Sequence, residues 1–517
     1  MAGIARFKGM ATLTFTGTTE LKLANGGVTE MTGRDEQMFG FVGKGNAKAV
    51  VRSDEAAGRS GKLMSGELFY LPPDCSCTLE NEGSGVFHIR WIRFRCDGGD
   101  MPELAGSLCE SADFAALRFR LPQARGWMAG FPAEDPEELE PAAFFRLQAH
   151  LYAIASAYVG HHRKPKGTDD DLLDYVEQTK RYMTDRYAEP IDVEELARQS
   201  GASSGRFYEA FRKQTGLSPH KYMTFVRLGQ ALGMLADLRS SVSEVAHSAG
   251  YPDELYFSRL FKKHMGMSPT EYAACAHKKI VMQPIFEGDL SVLGIRPEWM
   301  LDRGWWEHPE PFVRQIAETR PELVLTSPIP GELLRAVAEI SPIISLEWKG
   351  YPWKKRLTQI SGILGIGSVA EWWLAFYDRK VDNARRLVRR HLGNTPFLLA
   401  SAHGPGYRIY GMQMNKVKDL FYDDLGVKPP EEAFRFGLLE VDSFREVADM
   451  PSDNLILLMP HSRSEEDISD CRRRWSEREG RPEHARCLVV RYAGPLMYNA
   501  AANESLIDQT VRLLAAK

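Results

Sequence analysis

No stretch of the 517 residues holds the ~18 consecutive apolar side chains that a membrane-crossing helix needs. The opening MAGIARFKGMATLTF has no apolar run of secretory length, which predicts a cytoplasmic protein without an export signal or membrane partner. Cysteine is scarce. The seven residues, at 75, 77, 96, 109, 275, 471 and 487, are odd in number and scattered. Cys75 and Cys77 are too close for an easy mutual bridge and lack a second pair to complete a zinc site, so reduced thiols are expected. A strong net charge is missing too. Lys and Arg number 65 against 69 Asp and Glu, a net of −4, so any nucleic-acid surface must be local. The first 140 residues contain one histidine, His88, which argues against a metal centre there. No G-x-S-x-G elbow, Walker loop, H-E-x-x-H or paired C-x-x-C pattern occurs, and Gly362-Ile-Leu-Gly-Ile-Gly367 has the wrong glycine order for a dinucleotide loop. Neither an enzyme nor a bound cofactor or metal is expected.

What is present is ordinary globular material, 44% hydrophobic and 26% charged, in a length that suggests about three domains at ~100–200 residues each. Residues 1–120 carry short strand-like runs at 12–15, 68–71 and 86–94, with turn residues between them. Acidic 132–141 reads as a connector, 142–159 as a helix with an apolar face, and polar 161–171 as a linker. From 280 onward, apolar runs at 322–326, 343–346, 397–400, 455–459 and 487–490 alternate with helical patterns, an α/β layout. The stretch 368–392 reads as one helix of roughly 38 Å, long enough to link two lobes.

Between 171 and 279 lies an internal repeat. Leu196-Ala197, Gly201, Phe207, Phe211-Arg212-Lys213, Gly216, Ser218-Pro219 and Tyr222 recur as Val245-Ala246, Gly250, Phe257, Phe261-Lys262-Lys263, Gly266, Ser268-Pro269 and Tyr272. Each copy reads as a helix-turn-helix. An alanine sits where two helices approach, a glycine takes the turn, and Ser203 or Asp253 caps a second helix whose buried side is a Phe pair at i, i+4. Residues Pro219–Leu235 connect the copies.

These motifs resemble the AraC/XylS family of transcription regulators over about 100 residues. The resemblance implies an all-α domain whose two second helices enter successive major grooves of double-stranded DNA. It places Ser203, Ser204, Gly205, Arg206, Tyr208 and Glu209 on the first reading face. It places Asp253, Glu254, Leu255, Tyr256, Ser258 and Arg259 on the second. Arg206 is the candidate for a bidentate contact to guanine. Arg259 fits either a phosphate or a neighbouring carboxylate, and Glu209 a solvated charge as well as a cytosine contact. Local charge is modest, with 15 Lys and Arg against 14 Asp and Glu over 171–279, so dimerisation or an activating signal is expected to support binding.

The N-terminal part, through 65–73 (SGELFYLPP) and Trp91-Ile92-x-Phe94, resembles the cupin-like sensor domains of this family. The C-terminal part is similar to periplasmic solute-binding proteins for ferric siderophores, haem or cobalamin. That similarity rests on 291–297 as a first strand with its Gly-x-x-Pro loop, 316–326 as helix then strand, 340–344, the long helix, and 409–411 with 420–426 opening the second lobe. The expected organisation is therefore multidomain: a β-rich cupin-like domain at 1–165, a double helix-turn-helix at 171–279, and a two-lobed α/β ligand-binding domain at 280–517.

The joined resemblances imply a ligand-responsive regulator, an activator of iron-siderophore uptake genes with a ferric siderophore as effector, and with RNA polymerase and a second copy of the chain as partners. Anionic ferric chelates favour Arg, Lys and aromatic side chains. Candidates near strand ends are Trp305, Trp348, Lys349, Tyr351, Arg408, Tyr410, His461, Arg463 and Arg491, with Trp306 bordering the cleft. Each of them also fits an ordinary surface charge or core aromatic. The competing expectation is a regulator that senses a sugar or other small metabolite through the N-terminal barrel.

Overall fold

The structure is a computed structural model that describes residues 12–33, 36–53, 56–97, 114–132, 140–162, 170–237, 239–347, 351–478, 480–482 and 484–515. Most of the expected connector at 132–141 and of the linker at 161–171 lies outside these residues, as do Trp348, Lys349 and Cys109. The described chain divides into two compact units. One holds residues up to Arg186 together with Ile191–Phe211, the other Tyr187–Pro190 together with Arg212 onward. The division falls inside the helix Ser204–Thr215.

The first unit begins with nine strands: β1 (Thr12–Leu23), β2 (Val28–Gly33), β3 (Gln37–Lys44), β4 (Asn46–Ser53), β5 (Ala56–Met64), β6 (Leu68–Leu71), β7 (Cys75–Glu80), β8 (Phe87–Asp97) and β9 (Arg118–Phe119). They form two antiparallel sheets, ordered β1-β8-β3-β6-β9 and β2-β7-β4-β5. The first sheet is buried on both faces; its apolar residues, among them Phe39, Trp91 and Phe94, form one cluster with alternate residues of the second, among them Ala49, Cys77 and Leu79. A ring cluster lies between the first sheet and the helix Pro141–His162. Phe39 stacks on Phe94 at 5.1 Å, and Tyr158 of the helix Pro141–His162 lies 4.7 Å from Tyr70 and 5.2 Å from Phe119. Gln148 of that helix also reads the edge of β1, donating to the Leu13 carbonyl (2.9 Å) and accepting from the Phe15 amide (3.3 Å).

The second unit contains the connecting helix Pro219–Leu235, the second helix-turn-helix and two α/β lobes. The first lobe is a parallel sheet of β10 (Ile280–Met282), β11 (Trp299–Met300), β12 (Leu323–Thr326) and β13 (Ile343–Ser345), ordered β11-β10-β12-β13. The second is a mixed sheet of β14 (Leu398–His403), β15 (Gly406–Tyr410), β16 (Leu438–Val441), β17 (Leu455–Pro460) and β18 (Cys487–Tyr492), ordered β16-β15-β14-β17-β18. The single helix Gly367–Leu392 joins them.

One expected strand is displaced. Residues 291–297 do not open the first lobe; they close the helix Glu287–Ser291 and turn through Gly294 at φ 77°. The apolar Leu293 and Ile295 are buried as strand residues would be, but the Leu293 amide bonds back to Leu290 (3.0 Å) as in a turn. The true first strand, Ile280–Met282, has three residues, too few for any alternation to register. Likewise, 420–426 in the second lobe falls mostly on a π-helical turn, Asp419–Asp424, and the lobe's first strand is Leu398–His403.

Candidate functional site

Each helix-turn-helix is positioned by its caps and its aromatic pair. In the first, Asp192 accepts from the Glu195 amide (3.0 Å) to start the helix Val193–Gln199, and Gly201 takes the turn at φ 75°. Ala197, Phe207 and Phe211 are fully buried. Burying the Phe pair turns the other side of Ser204–Thr215 outward. Ser203, Ser204, Gly205, Arg206 and Glu209 are exposed there. Tyr208 is half-buried and donates to the Glu194 carboxylate (2.6 Å); burial and that bond push its hydroxyl up to about 12.

The second copy is capped more completely. Ser241 and Glu244 form a reciprocal capping box before Val242–Ser248, and Asp253 accepts from the Tyr256 amide (2.7 Å) before Glu254–Met265. Gly250 turns at φ 80° with the Ala188 carbonyl oxygen only 2.8 Å from where a Cβ would stand. Phe257 and Phe261 are fully buried, Ser258 is half-buried, and Asp253, Glu254, Leu255, Tyr256 and Arg259 are exposed. Leu255 is 70% and Tyr256 53% exposed, large apolar surface that the protein itself leaves uncovered.

Residues 196–274 match the helix-turn-helix domain family. The HTH-type transcriptional activator Btr of Bacillus subtilis is 24% identical over 387 residues, covering 67% of this chain and 69% of that protein. The arabinose operon regulatory protein of Escherichia coli is 33% identical over 106 residues, 20% of this chain and 36% of that protein. Residues 196–274 thus carry a helix-turn-helix domain similar to those of these transcription regulators. Among solved structures, the match to the FhuD protein from S. pseudintermedius covers 46% of this chain and 92% of that chain at 16% identity, with a TM-score of 0.38. Among the described residues no helix is long and apolar enough to cross a membrane.

The second candidate site is a cleft of about 810 Å³ between the two lobes. It opens at the carboxyl ends of the parallel strands, where loops meet outside a twisted sheet. Gln283 follows β10, Arg303 and Trp306 follow β11, Ser327 follows β12, Ser401–Gly404 end β14, Ser462 and Arg463 follow β17, and Tyr492 ends β18. Arg303 contributes a cation from the first lobe, and His403, Arg408, Lys416 and Arg463 contribute basic groups from the second. Glu440 is the acid among the lining residues and is already paired with Arg408, whose Nε lies 2.7 Å from its Oε1; that bond holds its carboxyl below the usual range. Burial, then Arg408, and more weakly Lys416 and Arg303, push the His403 imidazole below its ordinary value, while Glu440 pulls the other way. Trp306, Tyr410, Tyr492 and Tyr498 supply aromatic surface. Tyr410 shares a 2.8 Å hydrogen bond with Ser401, and its ring lies 5.9 Å from the Lys416 ammonium.

Of the expected ligand residues, the cleft brings together Arg408, Tyr410 and Arg463, with Trp306. The others lie elsewhere. Trp305 is buried in the first lobe, its indole donating to Thr326 (3.3 Å), so the two adjacent tryptophans divide between core and cleft. Tyr351 sits in a shallow surface hollow with Lys354 and Lys355. His461 is exposed outside the lining, and Arg491 is a structural tie, bonding Glu465 (2.6 Å) and the carbonyls of His461 (3.0 Å) and Arg463 (2.9 Å). Sequence reasoning missed Arg303, His403, Lys416, Tyr492 and Tyr498. His403 and Tyr492 end apolar strands, a position that carried the signal; Lys416 and Arg303 stand in loops with no pattern to mark them.

Proposed function

We propose that this regulator senses an anionic, partly aromatic small molecule in the cleft of its second unit, a ferric siderophore of the catecholate class, and activates genes for iron-siderophore uptake in response. The observation that carries this reading is the charge of the cleft. Basic groups converge from both lobes, and Glu440, the carboxylate among the described lining residues, is already paired. An anion held between the lobes would satisfy cations on both walls and favour a closed form. The tyrosines and Trp306 offer flat surface to catecholate rings. Activation is favoured by the similarity to the transcriptional activator of Bacillus subtilis. Recruitment of RNA polymerase and pairing with a second copy complete the reading.

The N-terminal sheets, which we read as cupin-like, serve in this proposal as a packing and assembly module. Trp91, Phe69 and Phe114 fill the space on the side of the first sheet that faces the second, where a sugar would need polar room. The test is quenching of tryptophan fluorescence in the full-length protein. The titrants are the iron(III) complex of three 2,3-dihydroxybenzoates, a ferric hydroxamate, haem, cobalamin and arabinose. Saturable quenching by the ferric catecholate, weakened roughly tenfold or more by Arg463→Ala, is expected. Quenching by arabinose alone would overturn the reading.

A further inference from the structure

The second helix-turn-helix and the two lobes do not have separate cores. One continuous apolar cluster runs from Leu228 and Leu232 of the connecting helix, through Phe257 and Phe261 of the second reading helix, to Tyr410, Tyr492 and Tyr498 on the wall of the cleft. Fused domains ordinarily keep their own cores and are joined by exposed, flexible linkers. Here only three residues, 277–279, separate the helix Pro269–Ala276 from strand β10.

The interlocking is specific. Tyr272 donates its hydroxyl to the Leu293 carbonyl (2.6 Å), and at Gly294 an added Cβ would stand 2.4 Å from Leu232. Gly266, which ends the second reading helix at φ 72°, lies against Ser368 at the start of the helix Gly367–Leu392. Along that same helix, Phe225 of the connecting helix stacks on Trp372 and Phe376, and Asn383 donates to the Lys213 carbonyl. The helix that joins the two lobes is thus also the platform for the DNA-reading elements of this unit.

We propose that the second helix-turn-helix is a structural part of the ligand-binding unit, and that the helix Gly367–Leu392 carries the state of the cleft to the reading helix Glu254–Met265. The part about transmission rests on the cleft reading above; the part about a single unit does not. Packed cores rearrange between discrete states rather than deforming continuously, so a change in lobe closure reaches the platform and its reading helix together. Effector and DNA then alter each other's affinity by the same factor.

The deciding experiment is native-state hydrogen exchange on the full-length protein in increasing urea. Amides of Glu254–Met265 and of the buried side of Gly367–Leu392 are expected to share one opening equilibrium and one urea slope. Phe225→Ala, or the milder Phe225→Leu if the alanine variant fails to fold, should accelerate both segments together, by roughly tenfold or more for the alanine variant. Independent opening of the reading helix at lower urea dependence, with the variant affecting that helix alone, would overturn the proposal. The same measurement with the iron(III) tris-catecholate probe tests transmission. Bound probe with changed exchange in Glu254–Met265 supports it, and bound probe with that helix unaltered refutes it. A probe that does not bind counts against the ligand reading, and ligand-free exchange still decides whether the unit is single.

Discussion

At the scale of single residues, the charged groups inside the second unit have distinct duties. Arg356 and Asp289 have no exposed side-chain surface, and their ion pair is 2.7 Å long. Asp289 also accepts from the Ala500 amide (2.8 Å), and Arg356 donates to the Tyr498 carbonyl (2.5 Å), next to the cleft wall. Removing one partner strands the other without water, at a cost of about 3–5 kcal/mol. Asp289→Asn is therefore expected to lower the urea midpoint sharply, whereas replacing both residues with apolar ones of similar volume should recover much of the loss. Lys380 is held differently. Burial pulls its ammonium down, but the carboxylates of Asp508 and Glu504, each 2.9 Å away, outweigh it and keep the group charged. Neither pair was legible in the sequence. Asp289 and Arg356 are 67 residues apart, and nothing local marks them as a pair.

At the scale of elements, the helix ends of the repeat are where sequence and structure agree most closely. The expected helices at 193–199, 219–235 and 242–248 have the observed bounds. The reason is that caps act over three or four residues and need no tertiary partner. Ser268 illustrates this. It accepts from the Glu271 amide (3.2 Å) while Glu271 accepts from the Ser268 amide (2.7 Å), with Pro269 entering the first turn. Ser268→Ala should cost about 1 kcal/mol, read as a lower denaturant midpoint with unchanged slope. That bond to Ser268 also holds the Glu271 carboxyl below its ordinary value, so the cap is intact at neutral pH and is lost as acid protonates the group. The short strands of the first lobe, such as Ile280–Met282 and Trp299–Met300, are the opposite case. Their identity comes from partners on β12 and β10, not from their own pattern.

At the scale of the whole molecule, one chain presents exposed helix faces and a basic cleft, which the proposed function assigns to DNA and to a small anion. Substitution should separate them. Arg206→Ala and Tyr256→Ala are expected to weaken promoter binding in a gel-shift titration at fixed salt, by about 1–3 kcal/mol for a lost base contact, while leaving cleft binding in place. Unchanged promoter binding in both variants would remove these residues from the reading faces. The sequence by itself determined the repeat, its caps, its Phe pairs and hence which faces point outward, because helical periodicity and capping are local. It also determined the α/β alternation of the C-terminal part and three residues of the cleft. Only the tertiary structure decided which of Trp305 and Trp306 meets the cleft, that Arg303 and His403 face the same space, and that the second helix-turn-helix shares its core with the lobes. Those facts depend on packing between segments tens to hundreds of residues apart, where shape and burial, rather than local pattern, choose the partners.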